Sequence, residues 1–181
     1  AVVWEVGHSN NGWPPTRLRS DDMEKSGFSI LLFSGDYDKC LAAMILANGA
    51  RDLEMEVDVF CAFWGLLLLR DPEKLSTEDK DLYEKMFTVA TPSGAEDLPL
   101  SKMNMAGLGK QMLLNMMDSK EAPQLGEFLH GAFNKRVRFH ACELSMKIMG
   151  FTAEEMLEGV EVNTVHDYLQ QARKAEIQLF I

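Results

Sequence analysis

Short apolar runs of strand length alternate with longer segments of helical period along most of the chain. FSILLF at 28–33 is the first such run, and Ser34-Gly35-Asp36 ends it. Residues 39–51 are rich in Ala, Leu and Met, contain no Pro, and predict a helix apolar nearly all round and so buried. MEVDVFCAF at 55–63 predicts a second strand. Together these predict a β-α-β unit with parallel strands and a right-handed crossover. Trp64-Gly65 punctuates the second strand, and LLLLR at 66–70 predicts a short helix.

Residues 71–102 lose the period and hold Pro72, Pro92, Gly94 and Pro99. They read as an acidic surface excursion with one short helix near 77–86; a connection this long often works as a lid or an oligomer arm. Helical period returns at 103–118, where Met105, Leu108, Met112 and Met116 form one apolar stripe suited to core or subunit interface. Pro123 suits the first position of the next helix, whose expected buried face is Leu125, Phe128, Leu129, Ala132 and Phe133.

VRFHA at 137–141 predicts a third strand with Cys142 at its carboxyl end, and ELSMKIM starts another helix. Thr152 and Glu155 have capping-box spacing, with Gly159 as the stop. Residues 160–162 predict a short strand, 164–174 a helix and 176–181 the last strand. Such alternation predicts a three-layer α/β/α sandwich of about five mainly parallel strands. Ligands of open parallel sheets bind beyond the carboxyl ends of the strands, near the switch in strand order. The loops 34–39, 63–65 and 142–145 are expected to meet there.

A formal net charge of −10 argues against nucleic-acid and anionic-membrane partners, which need clustered Lys and Arg. RVRFH at 136–140 is too short for a basic stripe. The longest apolar run, 59–69, falls well short of the roughly 20 residues that span a bilayer, and no secretory leader is visible, so a cytoplasmic protein is expected. Residues 1–26 break the pattern with Asn10-Asn11-Gly12, Pro14-Pro15 and mixed charge. They are expected to extend outside the core, in part foreign to the natural chain, with Met23 a candidate start and Trp4 and Trp13 able to dock. Residues 27–181 form the α/β domain.

Four blocks in order, FSGDYDK at 33–39, AFWGLLLLR at 62–70, LSKMNMAGLG at 100–109 and ACELSMKIMG at 141–150, resemble successive blocks of the DsrE/DsrF/DsrH-like family. The nearest pattern is its larger stand-alone branch, which carries an insertion before the KMNMAG block. The resemblance covers about residues 27–181. It implies a flavodoxin-like sandwich, homo- or hetero-oligomers, and sulfur relayed as a persulfide on a cysteine. Rhodanese-like and TusA-like proteins would be the donor and acceptor partners. The family cysteine carries over to Cys142, and no organic cofactor is implied. A second cysteine close to the first, present in some branch members, is absent here, which disfavours an intramolecular disulfide relay.

The residues themselves allow that role. A sulfur carrier needs a thiolate, and a strand end feeding a helix supplies unpaired N–H groups and a positive dipole end. Glu143 opposes this, while His140, two residues back, shares the same side of the strand and would help if protonated. The ordinary alternative is a buried core cysteine. Cys40 and Cys61 read as core. Ser34, Gly35, Asp36 and Lys39 form either a helix start, with Asp36 as cap, or a cleft wall offering Lys39 to an anionic sulfur species. Trp64 and Gly65 either close the cleft or pack, and Asn104 and Lys102 stand at the start of the Met-rich helix. The loop is neither a dinucleotide nor a P-loop pattern. The four histidines, His8, His130, His140 and His166, show no metal-ligand spacing. Two other functions stay open: a small-ligand module in which Cys142 is only wall, and a thiol peroxidase or reductase.

Overall fold

The computed structural model describes residues 26–181. The extension expected at 1–26, with any docking of Trp4 and Trp13, lies outside the described residues apart from Ser26. Five strands, β1 Gly27–Leu32, β2 Glu56–Cys61, β3 Arg138–Cys142, β4 Glu161–Asn163 and β5 Ala175–Phe180, form one sheet in the order β4-β3-β2-β1-β5, every pairing parallel. The helices are α1 Tyr37–Asp52, α2 Leu82–Ala90, α3 Leu108–Asp118, α4 Leu125–Asn134, α5 Glu143–Met149 and α6 Val165–Ala172. The expected three-layer, flavodoxin-like α/β sandwich is therefore found.

From β1 to β4 the sheet grows in one direction, so right-handed crossovers carry α1, α4 and α5 to the same face. Ile30, Leu32, Val57, Val59, Phe139 and Ala141 point to that face and meet Cys40, Met44, Ala47, Leu125, Leu129, Met146 and Met149 from the helices. Each fully buried Leu or Ile there stabilises the fold by roughly 1.5–3 kcal/mol. The step from β4 back to β5 reverses direction and brings α6 to the other face. There Phe60, Ala62 and Cys142 form a small separate cluster with Leu31 and Tyr168.

Several local expectations are corrected. The helix expected at 77–86 begins at Leu82, because Asp81 is its N-cap: its carboxylate accepts from Glu84 N, and Glu84 Oε2 accepts from Asp81 N, both at 2.8 Å. The surface excursion at 71–102 is anchored by buried polar groups. Lys80 Nζ lies 2.6 Å from Glu155 Oε1 and 2.9 Å from Thr88 Oγ1, all buried. Arg70, also buried, donates to Thr91 Oγ1 and Pro92 O at 2.8 Å and lies 4.6 Å over the Phe151 ring. This network clamps the segment 71–102 to the body.

The helix expected over 103–118 is interrupted: Met103, Met105 and Ala106 have positive φ, and α3 starts only at Leu108. Its Met105, Leu108, Met112 and Met116 stripe faces outward, while Leu113, Leu114 and Met117 pack on the core. Spacing identifies a face but not its direction, and this helix has two apolar faces. Likewise α1 exposes Ile45 and Leu46 rather than being buried all round. Pro123 stands outside α4, whose N-cap is Gln124.

Gly65 lies so close to β1 that an added Cβ would collide with the Leu32 carbonyl oxygen, and its N–H donates to Phe33 O at 2.9 Å. Gly65→Ala is expected to destabilise the protein by about 2–3 kcal/mol, seen as a lower urea midpoint with an unchanged slope.

Candidate functional site

The block after β1 acts as a junction. Asp36 occupies the N-cap of α1 but makes no side-chain cap bond; it pairs with Lys39 at 2.7 Å, so Lys39 is already engaged by a carboxylate. Tyr37, fully buried, accepts from the Leu125 N–H at 3.1 Å and thereby satisfies the start of α4. Burial raises its phenol above the ordinary range. Asp38 accepts from Ser101 N at 2.8 Å and Ser101 Oγ at 2.6 Å, tying down the far end of the segment 71–102. Cys40 is buried and donates to Ser34 O at 3.4 Å; burial, with Asp36 and Asp38 nearby, pushes its thiol up to about 12. Burial pushes Cys61 well above the usual thiol range too.

Ser34, Gly35, Asp36, Lys39 and Trp64 line one pocket of about 510 Å³, closed by Phe33, Leu67, Pro92 and Pro99. The loops 34–39 and 63–65 therefore meet as expected, with Gly65 buried behind them. Cys142, Glu143, His140 and Asn104 do not line this pocket. Asn104 Oδ1 accepts from Leu100 N at 3.3 Å and shapes its own loop.

Cys142 closes β3 and is the N-cap of α5, a helix of seven residues, so the dipole behind it is short. Its side chain is 3% exposed, beside Phe60, Ala62, Leu31 and Tyr168; Glu143 next to it is exposed. Tyr168 of α6 stacks on Phe60 with centroids 4.6 Å apart. Because α5 leaves to one face and α6 to the other, the chain diverges between β3 and β4, whose last paired residues are Cys142 and Asn163. That divergence is the switch point of the sheet.

Below Cys142 on the same face lies a polar array. His140 is 1% exposed. Its Nε2 is 3.0 Å from Asp58 Oδ1, and its Nδ1 is 2.8 Å from Asn163 Nδ2 and 3.6 Å from Glu161 Oε2. In the tautomer whose proton sits on Nε2, the ring donates to Asp58 and accepts from Asn163 at Nδ1. Arg138 grips Asp58 with two bonds of 2.7 Å and reaches Glu56 at 3.4 Å. Burial works to raise the Asp58 carboxyl, but hydrogen bonds from Arg138 and His140 outweigh it and hold the group at about 2. Arg138 is raised in turn, chiefly by its bonds to Asp58. The array floors a cleft of about 850 Å³, walled by Gln171, Lys174 and Glu176. Among the described residues no three His, Cys, Asp or Glu side chains are arranged to hold a metal ion, and no helix is long and apolar enough to cross a membrane.

The sequence profile of the DsrE/DsrF/DrsH-like family matches residues 24–180. The chain belongs to this family. It is 39% identical over 153 residues to the uncharacterized protein YrkE of Bacillus subtilis, covering 84% of this chain and 95% of that one. It is 25% identical over 159 residues to the sulfur carrier protein DsrE2 of Allochromatium vinosum, covering 88% and 100%. The crystal structure of the YchN protein from E. coli is similar in fold, with TM-score 0.50 and 12% identity over 86% of this chain and 99% of that one.

Within this family member, sequence reasoning missed Asp58, Arg138 and Asn163. A signal existed for two of them: Asp58 and Arg138 alternate with Val57, Val59 and Phe139, and so stand on the face of β2 and β3 opposite the main core. Asn163 had no signal, since its role depends on which strand lies beside β3. The low Asp58 carboxyl predicts a pH dependence. Its folded value, about 2, lies below the ordinary 3.8, so its stabilisation is full above about pH 4 and is lost as pH falls through 2. Asp58→Asn is expected to cost on the order of 2 kcal/mol at pH 7, with the difference from the parent shrinking towards pH 2 in acid-dependent urea melts.

Proposed function

We propose that this chain is a sulfur carrier in which Cys142 receives sulfane sulfur and passes it to another thiol. The observation that carries this is the place of Cys142 at the divergence of β3 and β4, in a chain similar along most of its length to a protein named a sulfur carrier. Cys40 and Cys61 lie in the main core, where burial raises their thiols. In the forward step the Cys142 thiolate attacks the outer sulfur of a donor persulfide, R–S–SH. The donor S–S bond breaks, R–S⁻ leaves, and Cys142 becomes Cys–S–SH. An acceptor thiolate then attacks that terminal sulfur, forms its own persulfide and returns Cys142 as thiolate. The small apolar cluster around the sulfur, with Tyr168 packed against it, keeps water from the adduct, so transfer requires the cluster to open. Donor and acceptor are small persulfides and thiols, or proteins of the rhodanese-like and TusA-like kinds. The exposed Met105, Leu108, Met112 and Met116 stripe is available for association between copies.

One observation favours a second function: the 510 Å³ pocket of Phe33, Trp64 and Pro99 excludes Cys142. A ligand-binding module would use that pocket, and ligand-dependent melting shifts that survive Cys142→Ser would favour it. For the carrier, incubation with a sulfane-sulfur donor is expected to add the mass of one sulfur atom, mapped to the Cys142 peptide and absent in Cys142→Ser. An adduct that persists in Cys142→Ser would remove the carrier assignment.

A further inference from the structure

The pocket beyond the carboxyl ends of β1 and β2 has walls that are fixed before anything enters it. Pro99 O accepts from the Tyr37 N–H at 2.7 Å, and Pro92 O accepts from Arg70 at 2.8 Å. Gly35 lies against the 63–65 loop, where an added Cβ would stand 2.7 Å from the Trp64 carbonyl oxygen. The result is a braced hollow of about 510 Å³, within the size range of small-molecule sites.

Its lining is mainly flat and apolar: Phe33, Trp64, Leu67, Pro92 and Pro99. Phe33 is 39% exposed and Trp64 43% exposed, although each is already held by other rings. Trp64 stacks on Phe87 at 21°, and Phe33 stacks on Phe180 at 26°. Large rings held by neighbours yet left open inside a concave site offer their free surface to a further ring.

The polar groups of the lining cancel or are spent. Lys39 pairs with Asp36 at 2.7 Å. Thr91 Oγ1 donates to Phe87 O at 2.7 Å and accepts from Arg70 at 2.8 Å. Asp38, beside them in the chain, is taken by Ser101. Among the described residues the Ser34 hydroxyl makes no hydrogen bond, so it is the lining group left for a ligand.

We propose that this pocket takes a neutral, planar aromatic molecule with one hydrogen-bonding group, its ring against Trp64 and Phe33 and its polar group at Ser34. This rests on the second function above, a ligand module at this pocket, and names the class of ligand. A charged ligand would meet a Lys39–Asp36 pair that already neutralises itself, and a saturated one would forfeit the stacking. Cys142 lies outside the lining, so the sulfur takes no part in binding.

The test titrates the full chain calorimetrically at pH 7 with three probes of one size. These are β-naphthol, planar and neutral; its saturated counterpart β-decalol; and β-naphthoate, planar and anionic. β-Naphthol is expected to bind about tenfold more tightly than either of the others. Trp64→Ala should weaken it by about as much, and Cys142→Ser should leave it unchanged. Ala90→Phe, which fills the pocket from an exposed position at the end of α2, should abolish binding without disturbing the core; it decides the matter if Trp64→Ala fails to fold. β-Decalol or β-naphthoate binding as tightly as β-naphthol overturns the proposed ligand class and leaves the pocket a site for another. β-Naphthol binding that survives Ala90→Phe, or no binding by any of the three probes, overturns the proposal and removes the support for the ligand module.

Discussion

Right-handed crossover between parallel strands governs this molecule. Four strands laid down in one direction send α1, α4 and α5 to one face, and a single reversal sends α6 to the other. One face therefore receives nearly all the hydrocarbon. The other is covered by a single helix of eight residues, and only over part of its area. Where the two sets of helices part, β3 and β4 end side by side at Cys142 and Asn163.

The thin cover has a chemical consequence. A sheet face packed by helices along its length takes Val, Ile and Leu. Here β2 and β3 carry Glu56, Asp58, Arg138 and His140 on that face. Such groups survive in partial burial only when they satisfy one another, and they do so in a chain from Glu56 to Asn163. A second ionic cluster, Arg70, Lys80 and Glu155, does a different job: it is sealed from solvent and fastens the segment 71–102. Removing either partner of the Lys80–Glu155 pair would strand a buried charge, whereas the array beneath Cys142 borders an open cleft and is free to act on what enters it.

Much of the fold was legible because its signals are local. Alternation of short apolar runs with helical segments located every strand within two residues, and the capping-box spacings of Thr152 and Glu155 were visible and correct. Errors came where a signal needs a partner to be interpreted. The Met105–Met116 stripe has good helical spacing, but Leu113, Leu114 and Met117 won the core because they face it. Asp36 has the right place for a cap, yet Lys39 within reach takes its carboxylate instead. The site was half legible: the 34–39 and 63–65 loops do meet, but on a pocket that Cys142 does not share.

By itself the sequence determined the class of architecture, the parallel crossovers, the family and the place of Cys142 where a strand gives way to a helix, since each follows from periodicity or from residues close together in the chain. Only the tertiary structure decided which way each apolar face turns, that the sulfur lies in a small apolar cluster with Tyr168 packed against it, and that Asp58, Arg138, His140 and Asn163 join in one hydrogen-bonded chain. Those facts depend on strand order and lateral register, which join residues as far apart in the chain as Asp58 and Arg138. No local pattern encodes them, because the energy that selects them arises only when the strands pair.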